Sequence, residues 1–266
     1  MKKNALLLAC LVLFSSCHKS KPEIVNDFLD AINNPTENQM DKLLSDNFMY
    51  YGKDTLNKNE YLTELDSLKT IEYKSNIQKI QDLDSIVKTE ETVSSIIDSL
   101  LEVTPKIIQF KTYRFSNNEL ISVTVDSTMN DKEYNKELTD KQIPFNFYIK
   151  DKYDIEDKTE LSKNIKKYLI EYVSLPASDR KRYRIYGHLQ GTYVSKNCAF
   201  YRKLIFRGKS TATIVDAIFG WSFTSSYEVD DNYVRIRTDK SDLLFEVKDN
   251  TTLIGEGFAK GTFTKK

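Results

Sequence analysis

Only two histidines, His18 and His188, occur in the 266 residues. That supply and spacing argue against a two-histidine zinc site. His188 is the one imidazole left for a Ser-His-Asp arrangement, and no Gly-x-Ser-x-Gly elbow accompanies it. Gly208-Lys209-Ser210 ends like a phosphate-binding loop, but Lys203 stands where the first glycine is needed and strands are expected on both sides, so it reads as a hairpin turn. The glycines between Gly255 and Gly261 have the wrong spacing for a dinucleotide fingerprint and read as turns or bulges. Carboxylates are plentiful, yet no acid and base pair stands out. These patterns point to no catalytic residue, no metal and no cofactor.

The least random feature is a run of nine basic residues between Arg180 and Lys209 with no acidic one. Arg182, Arg184, Arg202, Lys203 and Arg207 are its candidate anion-binding side chains. Interleaved with Tyr183, Tyr186, Tyr193 and Tyr201, the run has the composition of a nucleic-acid surface, but the address described next removes it from cytoplasmic nucleic acid. An anionic ligand, anionic lipid headgroups or the acidic front of the chain are the partners left, beside a simply solvated face. Residues 22 to 130 carry 10 basic and 19 acidic side chains, and residues 183 to 266 carry 13 and 9.

Lys2 and Lys3 followed by the apolar run Ala5–Phe14 form a secretory leader. The run is half of the about 20 residues a membrane-spanning helix needs. Phe14-Ser15-Ser16-Cys17 resembles the lipobox of bacterial, Bacteroidetes-type outer-membrane lipoproteins, with Phe14 in the place usually held by leucine. The resemblance implies cleavage before Cys17, diacylation of that cysteine, and a protein that works on a lipid tether, since each buried methylene contributes about 0.8 kcal/mol. His18 after the cysteine, in place of an aspartate, implies sorting to the outer membrane, and the expected face is periplasmic. With Cys10 in the leader and Cys17 acylated, Cys198 has no disulfide partner and is expected to be buried as a small apolar residue.

About 250 residues follow the leader, room for two modest domains. Ser20-Lys21-Pro22-Glu23 has the form of a helix start, and Ile24, Phe28 and Ile32 share the face that follows. A second helix carries Met40, Leu43 and Leu44, a short strand spans Phe48 to Tyr51, and Asn57 to Glu60 cap a third helix. The period then changes to two. Strands are expected around Ile77 and Ile80, at Val93 to Ile97, Ile107 to Phe115, and Leu120 to Val125. Residues 131 to 182 read as a helical connector, with Leu161, Ile165, Tyr168, Leu169 and Tyr172 on one face of a helix near Asp157 to Val173. From Tyr183 onward short strands and turns dominate, Phe258 to Phe263 being the last, which predicts a small barrel or sandwich.

The fold class is therefore α+β: N-terminal helices packed on a curved antiparallel sheet (residues 18 to 130), a helical connector (131 to 182), and an all-β domain (183 to 266), behind a leader of residues 1 to 17. In its order of elements, residues 22 to 128 resemble the nuclear-transport-factor-2-like, or SnoaL-like, fold. Gly191-Thr192-Tyr193 resembles the glycine-x-tryptophan start of lipocalins, on a domain of about half their length. Enzymes of the first family, such as ketosteroid isomerases, use an aspartate and tyrosines in the cone of the sheet, which makes Tyr50, Tyr51 and Tyr113 candidates to line one.

The leading reading is a non-catalytic envelope lipoprotein that binds a protein partner or a small hydrophobic or anionic ligand. The candidate pocket residues are Tyr51, Tyr113, Tyr193 and Trp221. Two alternatives are a lipid carrier with an apolar barrel cavity lined by Tyr193, Phe206, Trp221, Tyr227 and Phe245, and an isomerase or hydrolase with a raised-pKa carboxyl beside a tyrosine in the cone.

Overall fold

The computed structural model describes residues 19–34, 37–117, 119–155 and 158–266. Cys17 and its lipobox lie outside the described residues. The chain forms two compact units, one running through Ser99 and including Thr104–Tyr134, the other comprising Leu100–Val103 and Asn135–Lys266.

In the first unit, helix α1 (Lys21–Asn33) starts at the expected cap: the Glu23 carboxylate accepts from the Ser20 backbone N–H at 2.7 Å and from its hydroxyl at 2.8 Å. Its buried face presents Val25, Phe28, Leu29 and Ile32 to the core. Helix α2 (Glu37–Leu43) leads without a break into strand β1 (Leu44–Tyr51), so Leu44 belongs to the strand rather than to the expected helix. A short β2 (Thr55–Asn57) precedes α3 (Lys58–Thr70), where the Asn57 side chain accepts from the Glu60 N–H at 3.1 Å and Glu60 returns the bond at 2.9 Å.

Strands β3 (Lys74–Leu83), β4 (Ile86–Ser94), β5 (Ile107–Ser116) and β6 (Glu119–Met129) complete a six-stranded sheet of order β2-β1-β6-β5-β4-β3. It is not antiparallel throughout, because β1 runs parallel to β6. The two are far apart in sequence and joined by no hairpin, so nothing forces them to reverse direction. The stretch expected as a strand through Ile97 instead closes with a short helix, α4 (Ile96–Leu100), whose start is capped by Asp98 accepting from the Ser95 N–H at 2.6 Å.

Helix α5 (Asp131–Tyr153) starts in the first unit and passes into the second at Asn135, followed there by α6 (Lys158–Val173) and α7 (Ala177–Leu189). Tyr183 to Leu189, expected to begin the strands, continues α7. Ile185 and Leu189 lie one turn apart on its buried face, while Arg182 and Arg184 are exposed. Strands β7 (Gly191–Ser195), β8 (Tyr201–Arg207), β9 (Thr211–Asp216), β10 (Ser222–Asp230), β11 (Tyr233–Ile236), β12 (Leu243–Asp249), β13 (Thr252–Gly255) and β14 (Gly261–Lys265) close an antiparallel barrel in which β14 pairs with β7. Its interior is filled by side chains, as small eight-stranded barrels usually are. Tyr193, Phe206, Tyr227 and Phe245 belong to one buried core, with Phe206 5.8 Å from Tyr193 and 5.1 Å from Tyr227 between ring centres. The apolar cavity that lipid carriage requires is occupied by these rings.

Of the strand expected over Phe258 to Phe263, only the end is strand: Phe258 and Ala259 belong to a single 3₁₀ turn, Gly257–Ala259, between β13 and β14, and β14 begins at Gly261. That turn folds so closely over β13 that a Cβ on Gly255 would stand 2.0 Å from the carbonyl oxygen of Ala259. Because the obstacle is backbone, rotation of a side chain cannot relieve it. Gly255→Ala is expected to lower stability of the barrel by about 1–3 kcal/mol, read as a fall in the midpoint of thermal unfolding; an unchanged midpoint would mean the turn yields freely.

Among the described residues, no helix is long and apolar enough to cross a membrane.

Candidate functional site

The first unit's sheet is bent by extra residues in its ladders. Strand β6 carries an unpaired residue at Ile121 and at Asp126, and β3 carries one at Gln78. Bulges of this kind increase local twist and bend the strand. A cavity of about 410 Å³ is lined by α1, α3 and this sheet. Phe28, Ile32, Leu56, Tyr61 and Leu68 make its apolar wall, Tyr50, Tyr73, Gln109 and Lys111 its polar part, and Lys53, Asp54 and Glu64 also line it. The Tyr50 and Tyr61 rings stack at 5.1 Å.

Alternation along β5 puts Gln109, Lys111 and Tyr113 on one face, and along β4 it puts Thr89 beside Glu91. These residues form a buried polar network. Glu91, 0 % exposed, accepts bonds from Ser75 Oγ at 2.6 Å, Lys111 Nζ at 2.7 Å, Tyr113 Oη at 2.6 Å and the Thr89 hydroxyl. Burial pushes the Glu91 carboxyl up, but the Lys111 charge and the hydrogen bonds from Lys111, Ser75 and Thr89 outweigh it and hold the group below the usual glutamate value. Burial, followed by the charge and hydrogen bond of Glu91, pushes the Tyr113 phenol well above its usual value. Burial also raises Tyr50, Tyr61 and Tyr73, so all four hydroxyls stay protonated donors near neutral pH.

Lys111 is 4 % exposed and lines the cavity while pairing with Glu91. An ammonium has three hydrogens to give, and a bound acceptor would meet it in a site shielded from water. Beside it, Gln109 Oε1 is buried without a hydrogen-bond partner. The arrangement can hold a small molecule with an apolar body and a polar or anionic head. Glu91, beneath the cavity, is committed to four donors and is a weakened base, and the carboxylates that line the cavity are Asp54 and Glu64.

The candidate residues fall in different places. Tyr113 sits under the cavity as part of the network, whereas Tyr51 is exposed and does not line it; alternation gives that position to Tyr50. Tyr193 is in the barrel core, its hydroxyl donating to the His188 carbonyl at 3.1 Å, and burial pushes its phenol up to about 12. Trp221 is 74 % exposed on a barrel loop. The five basic candidates do not form one patch. Arg182 and Arg184 are on α7, while Arg202 is the second residue of β8 and Arg207 its last, about 17 Å apart along the strand.

His188, expected just before a strand, occupies the last turn of α7. It is buried beside a cavity of about 230 Å³ in the second unit, with Nε2 3.5 Å from an Asp140 carboxylate oxygen, and burial lowers its pKa. Cys198 is buried, as its lack of a partner led us to expect.

No protein-family model matches the chain, and no curated protein matches its sequence. Solved structures resemble it over the share that one unit occupies. One is a nuclear-transport-factor-2-like protein of unknown function from Cytophaga hutchinsonii, with 14% identity over 41% of this chain and 90% of that one at a TM-score of 0.34. A second, from Catenulispora acidiphila, has a ketosteroid isomerase-like fold and a complex with trimethylamine, with 15% identity over 40% and 85% at 0.35. A third is an epoxide hydrolase from M. tuberculosis, with 17% identity over 46% and 90% at 0.38. The likeness is one of fold. It says nothing of activity, and the first unit's own elements are helices followed by a bent sheet, as their order in the sequence implied.

Proposed function

We propose that the first unit is a non-catalytic binding domain for a small molecule with an apolar body and an anionic or hydrogen-bond-accepting head, held by Lys111 at the base of the cavity. The observation that carries this reading is a buried lysine lining a cavity of about 410 Å³ whose remaining walls are largely aromatic and aliphatic. That volume lies within the roughly 300–1,000 Å³ of small-molecule sites. A catalytic use of the cone is disfavoured by Glu91: a general base works best with a pKa near the operating pH, and this carboxyl is held low.

Native mass spectrometry of the protein from its own envelope, followed by the same measurement on Leu68→Trp, tests the binding reading. Leu68 lines the cavity without joining the Glu91 network, so the larger ring should displace a bound mass while leaving that network intact. Retention of the same mass by Leu68→Trp, or a clean unliganded mass for the parent, overturns it.

The reading also includes a lipid tether on Cys17, placing the protein in the outer membrane with the periplasm before it; its support is the leader and Phe14-Ser15-Ser16-Cys17. Cys17→Ser should abolish incorporation of labelled palmitate and move the protein from the membrane to the soluble fraction. Persistent labelling would remove the tether from the reading.

A further inference from the structure

Every second connection of the barrel lies at the same end: β7–β8, β9–β10, β11–β12 and β13–β14. That end carries the most exposed apolar side chains of the second unit. Ile218, Phe219 (71 % exposed) and Trp221 (74 % exposed) project from the β9–β10 loop, joined by Phe200 and Phe258 from its neighbours. Phe219 stacks on Trp221 at 5.1 Å, and Phe200 meets Phe258 edge-on at 5.9 Å. Exposed rings on several converging loops call for a partner.

We propose that this end of the barrel docks into the headgroup region of an anionic lipid bilayer. Three observations fit a lipid occupant. Much of the tip's turn is hydrogen-bonded within the barrel: one Asp216 carboxylate oxygen accepts from the N–H groups of Ile218 (2.9 Å) and Phe219 (2.6 Å), Asp216 N–H donates to Trp221 O (2.9 Å), and Ala217 N–H donates to Phe200 O (2.8 Å), while Asp216 Oδ2 is buried without a partner. Amide groups already paired in this way lose no partner when the tip leaves water for the bilayer interface.

Basic side chains also rim the rings. The Arg202 guanidinium lies against the loop, 2.9 Å from where a Cβ on Gly220 would stand, and exposed Lys196, Lys240 and Lys260 come from the other three connections. The acidic residues there are Asp216, Asp239, Asp242 and Glu256, with Asp216 turned onto the loop's own amides and Asp242 3.8 Å from Arg235. Finally, tryptophan over phenylalanine with basic neighbours suits the membrane interface, where the ring system is buried and the charges meet phosphate. This end belongs to the second unit, so the inference is independent of what the first unit binds.

Trp221 is the only tryptophan of the chain, so its fluorescence reports this end alone. The full chain is mixed with vesicles of phosphatidylglycerol and phosphatidylcholine, with and without bromine on the upper part of the acyl chains. Docking predicts a shift of emission to shorter wavelength and quenching by the brominated lipid. Arg202→Glu with Lys260→Glu should reduce that quenching at least threefold, as should replacing phosphatidylglycerol by phosphatidylcholine. Emission identical with and without vesicles overturns the proposal. So does a shift that appears in buffer as protein concentration rises and ignores lipid, which would assign the rings to a second copy of the chain.

Discussion

Glu91→Ala is expected to destabilise the first unit by about 3–5 kcal/mol, the usual cost of leaving one member of a buried ion pair without its partner. The substitution strands the Lys111 ammonium at 4 % exposure and takes acceptors from Ser75, Thr89 and Tyr113 together. Amide exchange of β4 and β5 under increasing urea would measure it, and a loss below about 1 kcal/mol would show that water or a neighbouring group replaces the carboxylate. The double change Glu91→Gln with Lys111→Met should recover part of the loss, since it removes both charges at once. The same network sets an acid limit. Its carboxyl has a depressed pKa when folded, so its contribution is complete above the unfolded value of about 4.3 and is lost as pH falls through the lower folded value. Glu91→Gln should flatten that acid limb of stability against pH.

Phe263→Ala should cost about 3–5 kcal/mol in the second unit, the range for truncating a buried aromatic ring. Phe263 is fully buried on β14, packs edge-on against Phe245 at 5.3 Å, and sits on the strand that closes the barrel. The lost ring leaves a void in a core already filled by other rings, with little slack to collapse into it. Trp221 emission through urea unfolding would read the change, and a loss under about 1.5 kcal/mol would mean that the barrel contracts around the gap.

What the sequence revealed and what it hid divide along physical lines. Local signals survived: the Ser20 and Asn57 caps, and the alternation through Tyr113, depend only on neighbouring residues, and the structure has them where they were read. Ser95 to Asp98 is the same kind of cap and was legible, but the apolar residues on both sides made it read as a strand. Tyr183 to Leu189 mixes aromatic and basic residues in a pattern that fits both periods over so few positions, and packing decided for the helix. Glu91 and Lys111 were invisible as a pair because they meet through strand register, on adjacent strands whose spacing no local pattern reveals. The one available hint was a glutamate and a lysine at positions that alternation assigns to an inward face. Trp221 drew attention as an aromatic, but its exposure depends on loop geometry that only the folded barrel defines.

The pairing of β14 with β7 has a consequence for how the protein reaches its folded form. Every other barrel ladder joins consecutive strands and can zip locally, but this one brings together the first and last strands of the whole barrel. Such long-range pairing is slow, because loop-closure entropy is lost before the contact rewards it. Until Gly261–Lys265 arrives, β7 and β13 present open edges capable of pairing with other molecules. A chain made amino end first would therefore hold those edges open until Gly261–Lys265 emerged. Shielding of the half-made barrel during that interval, more than stability of the finished one, would set the yield of folded protein.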